Sequence, residues 1–396
     1  MSRFDFLTAG ESHGPELTVI VRGAPAGLRL DREALRRELA RRQRGYGRGG
    51  RMKIEADEPV ITAGIRGGET LGSPIAIRIV NRDFENWRAA MDPWEGDAAE
   101  AEKRRLRAPR PGHADLAGGL KFGRRDLRDV LERASARETA ARVAAGAVAK
   151  QLLAALGIEV RSAILSLGTV GDPSAEPSWD QLSAVDDDSP LRPLDPSLEA
   201  GMIAAVDAAR EAGDTLGGTI LVAAHGVPPG LGSHAQWDEK LDGRIARALM
   251  SIQAVKGVAI GLGFEAARRR GSEVHDPIEP GRHRPSNRAG GLEGGITNGE
   301  DVVARVAMKP ISTLRRGLPS IDLDTGEPVR SQWERSDVTA VPACGVVCEA
   351  MLAITLADAA REKFGGDSMP EMLYNLRGHL DRLSHFPDGD PGERRR

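Results

Sequence analysis

The chain begins with short segments in which apolar and polar residues alternate, the pattern of half-buried β-strands. A helical pattern lies among them at Arg32–Gln43, directly behind Asp31, a residue type that caps helix N-termini. The predicted strands of this region are Phe4–Thr8, Leu17–Arg22, Met52–Ile65 and Ser73–Val80. The region is therefore predicted to consist of strands with one helix between the second strand and the third.

Longer helical patterns occur in the rest of the chain, but they do not alternate strictly with strands. The predicted helices run from about Glu132 to Gly157 and over Ser197–Glu211, Asp238–Gln253 and Gly345–Lys363. The predicted strands are Ile158–Val170, Thr219–Ala224, Val258–Leu262 and Val302–Met308. A mixed order of this kind favours one interlocked α+β body over a doubly wound parallel sheet.

Three further segments carry no regular pattern. Trp87–Arg105 is charged and rich in alanine, which predicts an excursion on the surface. Asp172–Asp195 has the Pro, Ser and Asp content of a loop or linker, and the tail from His385 to Arg396 is predicted to fray. We accordingly expect residues 1–370 to form a single domain and residues 371–396 to form a partly flexible extension.

Composition indicates a soluble globular protein, since 40% of the 396 residues are hydrophobic and 29% are charged. No apolar run looks long enough to cross a bilayer, and Met1–Asp5 lacks the pattern of a signal peptide. A net charge of −3 gives no support for a global attraction to nucleic acid or membranes. We therefore expect a cytoplasmic protein with neither partner. Cys344 and Cys348 lie one helical turn apart and are predicted to be buried free thiols.

The arginines cluster, and one cluster runs from Arg107 to Arg142. His113 is flanked there by prolines and glycines, and it precedes a predicted helix whose first turns carry Arg133, Ser135 and Arg137. Guanidinium groups, a hydroxyl and helix amides can bind an oxyanion, and a histidine can move a proton at neutral pH. On this stretch alone, an exposed basic helix explains the pattern equally well.

A second cluster, Arg41–Arg51, alternates arginine with glycine, so that the backbone can turn tightly while several guanidiniums converge. Such a segment can bind RNA, but this one is single, short and set between ordered elements, which favours an anion pocket. His13 lies in a glycine-bounded turn between two predicted strands, where its side chain can reach a ligand. An incidental loop histidine is the alternative.

Glycines concentrate again in Pro285–Gly299, which matches neither the dinucleotide-binding pattern nor a P-loop. They would let the backbone approach a planar or phosphorylated ligand, and Lys309–Thr313 adds a lysine beside two hydroxyls. With the two loop histidines and the arginines, these features suit the binding of a phosphorylated polyanion and the release of phosphate. No histidine–carboxylate cluster with ligand spacing predicts a metal site.

Several of these segments resemble signature sequences of the chorismate synthase family, in the same order along the chain. The three clearest are Gly10–Gly14, Glu132–Ala140 and Arg335–Ala343. The further matches are Arg42–Arg51, Arg110–Asp115, Gly290–Gly295 and Lys309–Thr313. The resemblance extends from about Phe4 to Gly366 and is far more specific than any single glycine motif.

This resemblance implies a β-α-β sandwich fold assembled as a homotetramer. It implies an enzyme of the shikimate pathway that eliminates phosphate in a 1,4 sense from 5-enolpyruvylshikimate 3-phosphate to give chorismate. Reduced FMN is required in the family, although the reaction has no net redox change. NADPH would enter only to reduce the flavin. Because no separate domain for that task is evident, we expect reduced flavin to be supplied from outside.

The family's residue roles carry over onto matching positions. His13 would protonate the reduced flavin, His113 would serve the phosphate side of the substrate, and Asp337 would assist proton removal at the flavin N5. The substrate would be bound by Ser12, Arg42, Arg48, Arg51, Arg110 and Arg137. The flavin would be contacted by Arg133, Ala134, Ser135, Gln253, Ala254, Gly294, Lys309, Pro310, Ile311, Ser312, Thr313 and Arg335. Many members have a serine in place of Ala134, so one hydroxyl contact is missing here, and the family also links Arg42 and Arg48 to NADPH.

Two other functions stay open at this point. One is a phosphate-eliminating lyase that works without flavin, and the other is an arginine-rich RNA-binding protein that uses Arg41–Arg51. Failure of FMN plus substrate to protect the protein from thermal unfolding would favour the first. RNA binding that weakens steeply with salt would favour the second.

Overall fold

Two antiparallel sheets face each other across a layer of long helices. This arrangement is seen in a computed structural model, which describes residues 3–49, 56–334 and 337–386. The strands are β1 (Asp5–Ala9), β2 (Glu16–Arg22), β3 (Pro59–Ala63), β4 (Ile65–Arg66), β5 (Glu69–Thr70), β6 (Ile75–Val80), β7 (Glu159–Leu167), β8 (Val170–Gly171), β9 (Gly218–His225), β10 (Val255–Ile260), β11 (Leu292–Glu293), β12 (Ile296–Thr297), β13 (Val302–Met308), β14 (Pro319–Ile321) and β15 (Pro328–Arg330).

The helices are α1 (Arg32–Gln43), α2 (Arg88–Met91), α3 (Ala98–Lys103), α4 (Asp115–Phe122), α5 (Arg128–Ala134), α6 (Thr139–Ala155), α7 (Trp179–Ser183), α8 (Glu199–Glu211), α9 (Leu241–Met250), α10 (Gly271–Val274), α11 (Val341–Phe364) and α12 (Met369–Ser384). Single 3-10 turns cover Arg82–Asn86, Ala136–Glu138, Pro196–Leu198, Gly263–Arg268 and Pro280–Arg282.

The first sheet has the strand order β1-β2-β6-β3, and the second has the order β10-β13-β9-β7-β8. Neighbouring strands are antiparallel throughout both sheets. In β2 and β6 every second residue is buried, because one face of the first sheet lies against the core. The strands predicted from alternation are therefore confirmed there, and β13 has the predicted bounds.

Helices α1, α6 and α11 fill the space between the sheets. Helix α6 packs on β2 and against α11, and α11 packs on β7 and β9. Gly146 of α6 allows a close approach, since a Cβ there would lie 2.3 Å from the Cβ of Ala350 in α11. The predicted α+β fold, a β-α-β sandwich, is confirmed.

Helix α11 corrects one expectation about apolar runs. It contains an 18-residue window with mean hydropathy 1.7, long and apolar enough to cross a membrane by length and composition. The prediction that no run has this length was therefore wrong. Of that window, 94% is buried inside the protein, because α6 and the second sheet cover it. Cys344 and Cys348 lie in this helix as buried free thiols, as predicted.

The helix predicted from Glu132 to Gly157 is broken in two. Helix α5 ends at Ala134, and Ser135 has extended backbone angles (φ −60°, ψ 142°) before α6 begins at Thr139. Its hydroxyl accepts the N–H of Arg137 at 3.2 Å and so caps the intervening turn. The prediction of one continuous helix was wrong at this residue.

Two other segments are more ordered than their composition indicated. Asp172–Asp195 contains α7, whose Leu182 is buried in a small apolar cluster under the second sheet. Helix α12 begins at Met369 and buries Met372 and Leu376. The domain boundary at residue 370 stays a prediction, and residues 387–396 lie outside the described part of the chain.

Candidate active site

His13 lies in the turn between β1 and β2, and a carboxylate holds its ring. Glu132, in the last turn of α5, accepts the backbone N–H of His13 at 2.7 Å and lies 2.8 Å from Nδ1. Burial favours a neutral Glu132, but its hydrogen bonds with His13 outweigh this and lower the pKa of the carboxyl. Because an ionised carboxylate only accepts, Nδ1 carries the hydrogen, and Nε2 is the nitrogen that exchanges a proton with a ligand.

His113 follows the turn Arg110–Gly112 and is held in the same way. Its Nδ1 lies 2.5 Å from Oδ1 of Asp115, the first residue of α4. Arg110 donates from Nε to Oδ2 of Asp115 at 2.8 Å and from Nη2 to Oδ1 at 3.0 Å. Burial would raise the pKa of Asp115, but the hydrogen bonds with His113 and Arg110 hold it well below its usual value. Nε2 of His113 is therefore likewise the nitrogen at which a proton can be exchanged with a ligand.

The loop after β13 joins this second pair. Thr313 accepts a hydrogen bond from Nη1 of Arg110 at 2.9 Å, and Lys309 donates to the carbonyl of Gly112 at 2.6 Å. Burial lowers the pKa of Lys309. The loop thus brings Lys309 and Thr313 to Arg110 and His113, and the other predicted flavin contacts of this loop lie between its ends: Pro310, Ile311 and Ser312.

Asp337 lies just before α11 and contacts the arginine–glycine segment. Its Oδ1 accepts the N–H of Gly49 at 2.6 Å, and its Oδ2 lies 2.8 Å from Nη1 of Arg48. Gly47 makes the tight turn possible, because it adopts φ +82° and a Cβ there would lie 2.9 Å from Cγ1 of Val206. Arg48 and Gly49 are therefore docked on Asp337.

Arg42 and Arg137 meet on a carboxylate that the sequence did not indicate. Nη1 of Arg137 donates to Oδ1 of Asp57 at 2.5 Å, and Nη1 of Arg42 lies 3.5 Å from Oδ2. Arg42 also donates from Nε to the hydroxyl of Thr139 at 2.9 Å. Arg42, Asp57 and Arg137 are each 6% exposed or less. The exposed basic helix, the alternative left open for the Arg107–Arg142 stretch, is therefore wrong for Arg137.

Ser12 and Ser135 connect the first histidine pair to these arginines. The hydroxyl of Ser135 donates to that of Ser12 at 3.1 Å, and it accepts the N–H of Arg137. The N–H of Ser12 donates to the carbonyl of Glu132 at 2.9 Å. At the break after α5, the hydroxyl of Ser135 therefore links Ser12 to the backbone of Arg137.

An open pocket of about 360 Å³ contains two of the predicted flavin residues, Arg133 and Gln253. Arg133 donates to the carbonyls of Gly10 and Thr8 at 3.1 and 3.0 Å. Gln253 donates from Nε2 to Glu138 at 3.1 Å, and its buried Oε1 has no hydrogen-bond partner in the described part of the chain. The pocket is lined by Phe6, Leu7, Thr8, Arg133, Glu138, Arg142, Ser251, Gln253 and Met351.

These residues fit a flavin. The ring system of FMN offers an N–H donor that suits the Oε1 of Gln253, and its carbonyl and phosphate oxygens suit the guanidinium of Arg133. The pocket volume is within the range of small-molecule sites. Ala254, the neighbour of Gln253, has φ +67°, an uncommon conformation for a residue with a side chain, and its carbonyl accepts the N–H of Lys309 at 3.0 Å.

Gly294 does not line this pocket. It lies in the turn between β11 and β12, and the carbonyl of its neighbour Gly295 accepts the N–H of Leu241 at the start of α9. Gln253 follows the other end of α9, a 10-residue helix about 15 Å long. Ala134 is the last residue of α5. The predicted contacts of Arg51 and Arg335 lie outside the described residues.

Sequence reasoning missed four residues that contact the site residues: Asp57, Asp115, Glu132 and Trp87, whose ring stacks on that of His13. Asp115 and Glu132 lie inside the matched motifs, so a search for carboxylates beside each histidine motif would have found them. Asp57 and Trp87 carried no local signal. Among the described residues no group of three His, Cys, Asp or Glu side chains is placed to hold a metal ion.

Comparisons with known proteins identify the family of the chain. A family model described as chorismate synthase matches residues 4–360. The chain is 57% identical to the chorismate synthase of Salinispora tropica, over 96% of this chain and 98% of that one. It is 54% identical to that of Geobacter sulfurreducens, over 96% and 99%. A crystal structure of a chorismate synthase superposes with a TM-score of 0.77 at 45% identity, over 97% of this chain and 99% of that one. The chain therefore belongs to the chorismate synthase family, the phosphate-eliminating lyases of the shikimate pathway.

Proposed function

We propose that His13, His113 and Asp337 form the centre at which this lyase converts 5-enolpyruvylshikimate 3-phosphate to chorismate and phosphate. The proposal is supported above all by the matching states of the two histidines. Each is held at Nδ1 by a buried carboxylate, Glu132 or Asp115, at 2.8 and 2.5 Å. Each therefore presents Nε2 for proton exchange in a fixed orientation.

The reaction removes a proton from a ring carbon and breaks the carbon–oxygen bond to phosphate, and both electrons of that bond leave with the oxygen. His113 holds a proton at Nε2 for the departing phosphate. Arg110 gives its Nε, Nη1 and Nη2 to Asp115 and Thr313, so its first task is to hold Asp115 and the loop after β13. Lys309, whose pKa burial lowers, adds a cation beside the same turn.

We assign the remaining roles to Asp337, Ser12 and the paired arginines. Asp337 would assist proton removal at the flavin N5, and Nη1 of Arg48 lies 2.8 Å from its Oδ2. Arg42 and Arg137 bind the substrate's anionic groups in a largely buried environment, where guanidinium–anion pairs are strong. The assignment of Arg51 to the same task stays a prediction.

Reduced FMN would lie beside His13, held by Arg133, Ser135 and Gln253. When bound, it supplies electron density to the substrate as the phosphate leaves. The buried Oε1 of Gln253, to which no described residue donates a hydrogen bond, supports this placement. Lys309–Thr313, Ala254, Gly294 and Arg335 stay as further predicted contacts, and NADPH enters only as the reductant of the flavin.

Phosphate release under anaerobic conditions with photoreduced FMN tests the assignment. Replacing His13 or His113 by Ala is expected to lower kcat by about 10²–10⁴-fold, the usual contribution of a proton-transfer group. His225 is a matched control, because it also pairs with an aspartate but is half exposed, and His225→Ala should keep the wild-type rate. Near-native rates in both site variants would overturn the roles assigned to His13 and His113.

We also propose a homotetramer in the cytoplasm. Large apolar side chains stand exposed on α4 and elsewhere, which supports their burial by further copies. They include Leu120, Phe122, Trp237 and Phe264, each at least 67% exposed. Light scattering of the purified protein measures the state directly. The RNA-binding alternative is disfavoured because Arg41, Arg44 and Arg48 are paired with carboxylates.

A further inference from the structure

Trp87 reaches from the segment Arg82–Lys103 to the ring of His13. The two rings stack with centroids 3.8 Å apart and planes inclined by 28°. The overlapping stretch Trp87–Arg105 was predicted to be a surface excursion, and much of it is exposed, including Trp94 at 92%. Trp87 differs from the rest, because its ring covers one face of a buried histidine.

The indole is itself held on several sides. Nη2 of Arg104 donates to the carbonyl of Asn86 at 2.8 Å, and its guanidinium lies 4.0 Å from the centre of the Trp87 ring. The guanidinium of Arg128 lies 5.1 Å from the same ring and donates to Glu132 at 3.3 Å. Trp87 Nε1 donates to Asp83 at 3.3 Å. The carboxylate and the indole that contact His13 are thus tied together through Arg128.

These contacts restrict different motions of the imidazole. The hydrogen bond to Glu132 fixes the position of Nδ1, but the ring can still turn about that bond. A flat ring stacked at van der Waals distance opposes this rotation, because tilting the imidazole would push it into the indole. With both contacts in place, Nε2 points in one direction only.

We propose that Trp87 is a positioning residue for His13, through which the segment Arg82–Lys103 takes part in the reaction. The inference rests on the proposed role of His13. Loss of the indole removes one of the contacts that orient the imidazole, so fewer molecules hold Nε2 in the productive orientation. Misplacement of a catalytic group by about 1 Å can cost about 10²-fold in rate, and Trp87→Ala is therefore expected to lower kcat by about 10–100-fold.

Three variants of the full chain separate positioning from packing. Trp87→Ala should lower kcat while KM and the FMN dissociation constant stay within about threefold, since Trp87 acts on orientation rather than binding. Trp87→Phe should recover most of kcat because it restores a flat ring. Trp94→Ala removes an exposed tryptophan of the same segment and should behave as wild type.

An NMR measurement reports the stack itself. Aromatic stacking shifts the Cε1–H signal of His13 upfield, and the signal is identified by its loss in His13→Ala. It should move downfield in Trp87→Ala and only partly in Trp87→Phe. If Trp87→Ala does not fold, Trp87→Phe and Arg104→Gln, which loosens the indole, are compared in the same way.

The outcomes are distinct. Unchanged kcat in Trp87→Ala, with His13→Ala inactive, overturns the inference and leaves the role of His13 intact. Full activity in His13→Ala overturns the proposed function of that residue first. A third outcome is that Trp87→Ala lowers both kcat and thermal stability and that Trp87→Phe restores neither. It would show that Trp87 only packs, and it would also overturn the inference.

Discussion

Replacing Asp115 by Asn removes a charge and keeps the volume of the side chain. Asp115 is fully buried and receives hydrogen bonds from the backbone N–H, Nε and Nη2 of Arg110. Its Oδ1 also lies 2.5 Å from Nδ1 of His113. An amide has one oxygen and one NH2 group, so in either orientation its NH2 group faces N–H groups of Arg110. In one of the two orientations the NH2 group also faces Nδ1 of His113.

The expected magnitudes follow from these contacts. Arg110 is 5% exposed, and removal of the charge partner of a buried ion typically costs about 3–5 kcal/mol of unfolding free energy. If the NH2 group faces His113, Nδ1 becomes an acceptor and can no longer carry a hydrogen, so the doubly protonated ring that would donate from Nε2 to the phosphate is disfavoured. We expect kcat to fall by about 10²–10⁴-fold with a smaller change in KM.

The contribution of Asp115 to the unfolding free energy should depend on pH, and the pKa shift gives the sign of that dependence. The folded protein holds the pKa of Asp115 well below its usual value, so the stability it contributes is fully present above the unfolded pKa of about 3.9. It is lost as pH falls through the folded pKa. The difference in unfolding free energy between wild type and Asp115→Asn should therefore be constant near neutral pH and shrink below about pH 4.

The assay combines urea unfolding with anaerobic phosphate release. Asp301→Asn is the matched control, because Asp301 lies 2.7 Å from Nδ1 of His225 at a far more exposed site. It should keep full activity and change stability by at most about 1 kcal/mol. A near-wild-type rate and stability in Asp115→Asn would refute the reasoning, and a stability loss with unchanged kcat would confine Asp115 to a structural role.

Two further predictions follow from buried polar groups. Glu349 is fully buried in α11, and its carboxylate lies 2.7, 2.8 and 3.1 Å from Arg41, Lys150 and Arg192. Glu349→Gln should lower the unfolding free energy, measured by urea unfolding, by about 3–5 kcal/mol. An unchanged unfolding free energy would mean that the cluster contributes nothing to stability. Gln253→Ala removes an acceptor from the 360 Å³ pocket and should weaken FMN binding by about 2–10-fold, measured by quenching of flavin fluorescence. Trp94→Ala, at an exposed site outside the pocket, should leave FMN binding unchanged, and equal affinities in all three proteins would remove Gln253 from the flavin site.

Elements with local signals were predictable from the sequence. Helix α1 has the predicted bounds because Asp31 accepts the N–H of Glu33 at 2.8 Å, a contact between residues two positions apart. Ser135 shows the opposite case. Its neighbours favour helix, but its hydroxyl bonds to Ser12, 123 positions earlier, and that contact depends on the assembled fold.

Some residues of the candidate site were likewise predictable from local motifs, and others were not. Motifs identified His13 and His113, but no spacing shows that Glu132 meets a histidine 119 positions earlier. Asp57 and Trp87 lie outside every motif and become visible only when the chain is folded. The resemblance also predicted that Gly294 and Gln253 both contact the flavin, although the two residues lie near opposite ends of α9 within one chain.

The stretch from Asp115 to Ala134 sets the spacing of the two histidines. Asp115 begins α4 and holds His113, while Glu132 in the last turn of α5 holds His13. The two helices can touch because Gly118 and Gly119 face α5, where added Cβ atoms would lie 2.4 Å from Val130 and 2.6 Å from Leu127. One short helical pair therefore orients both proton-exchanging groups. A side chain at Gly118 would shift Asp115 relative to Glu132, and so one histidine relative to the other, without touching either ring.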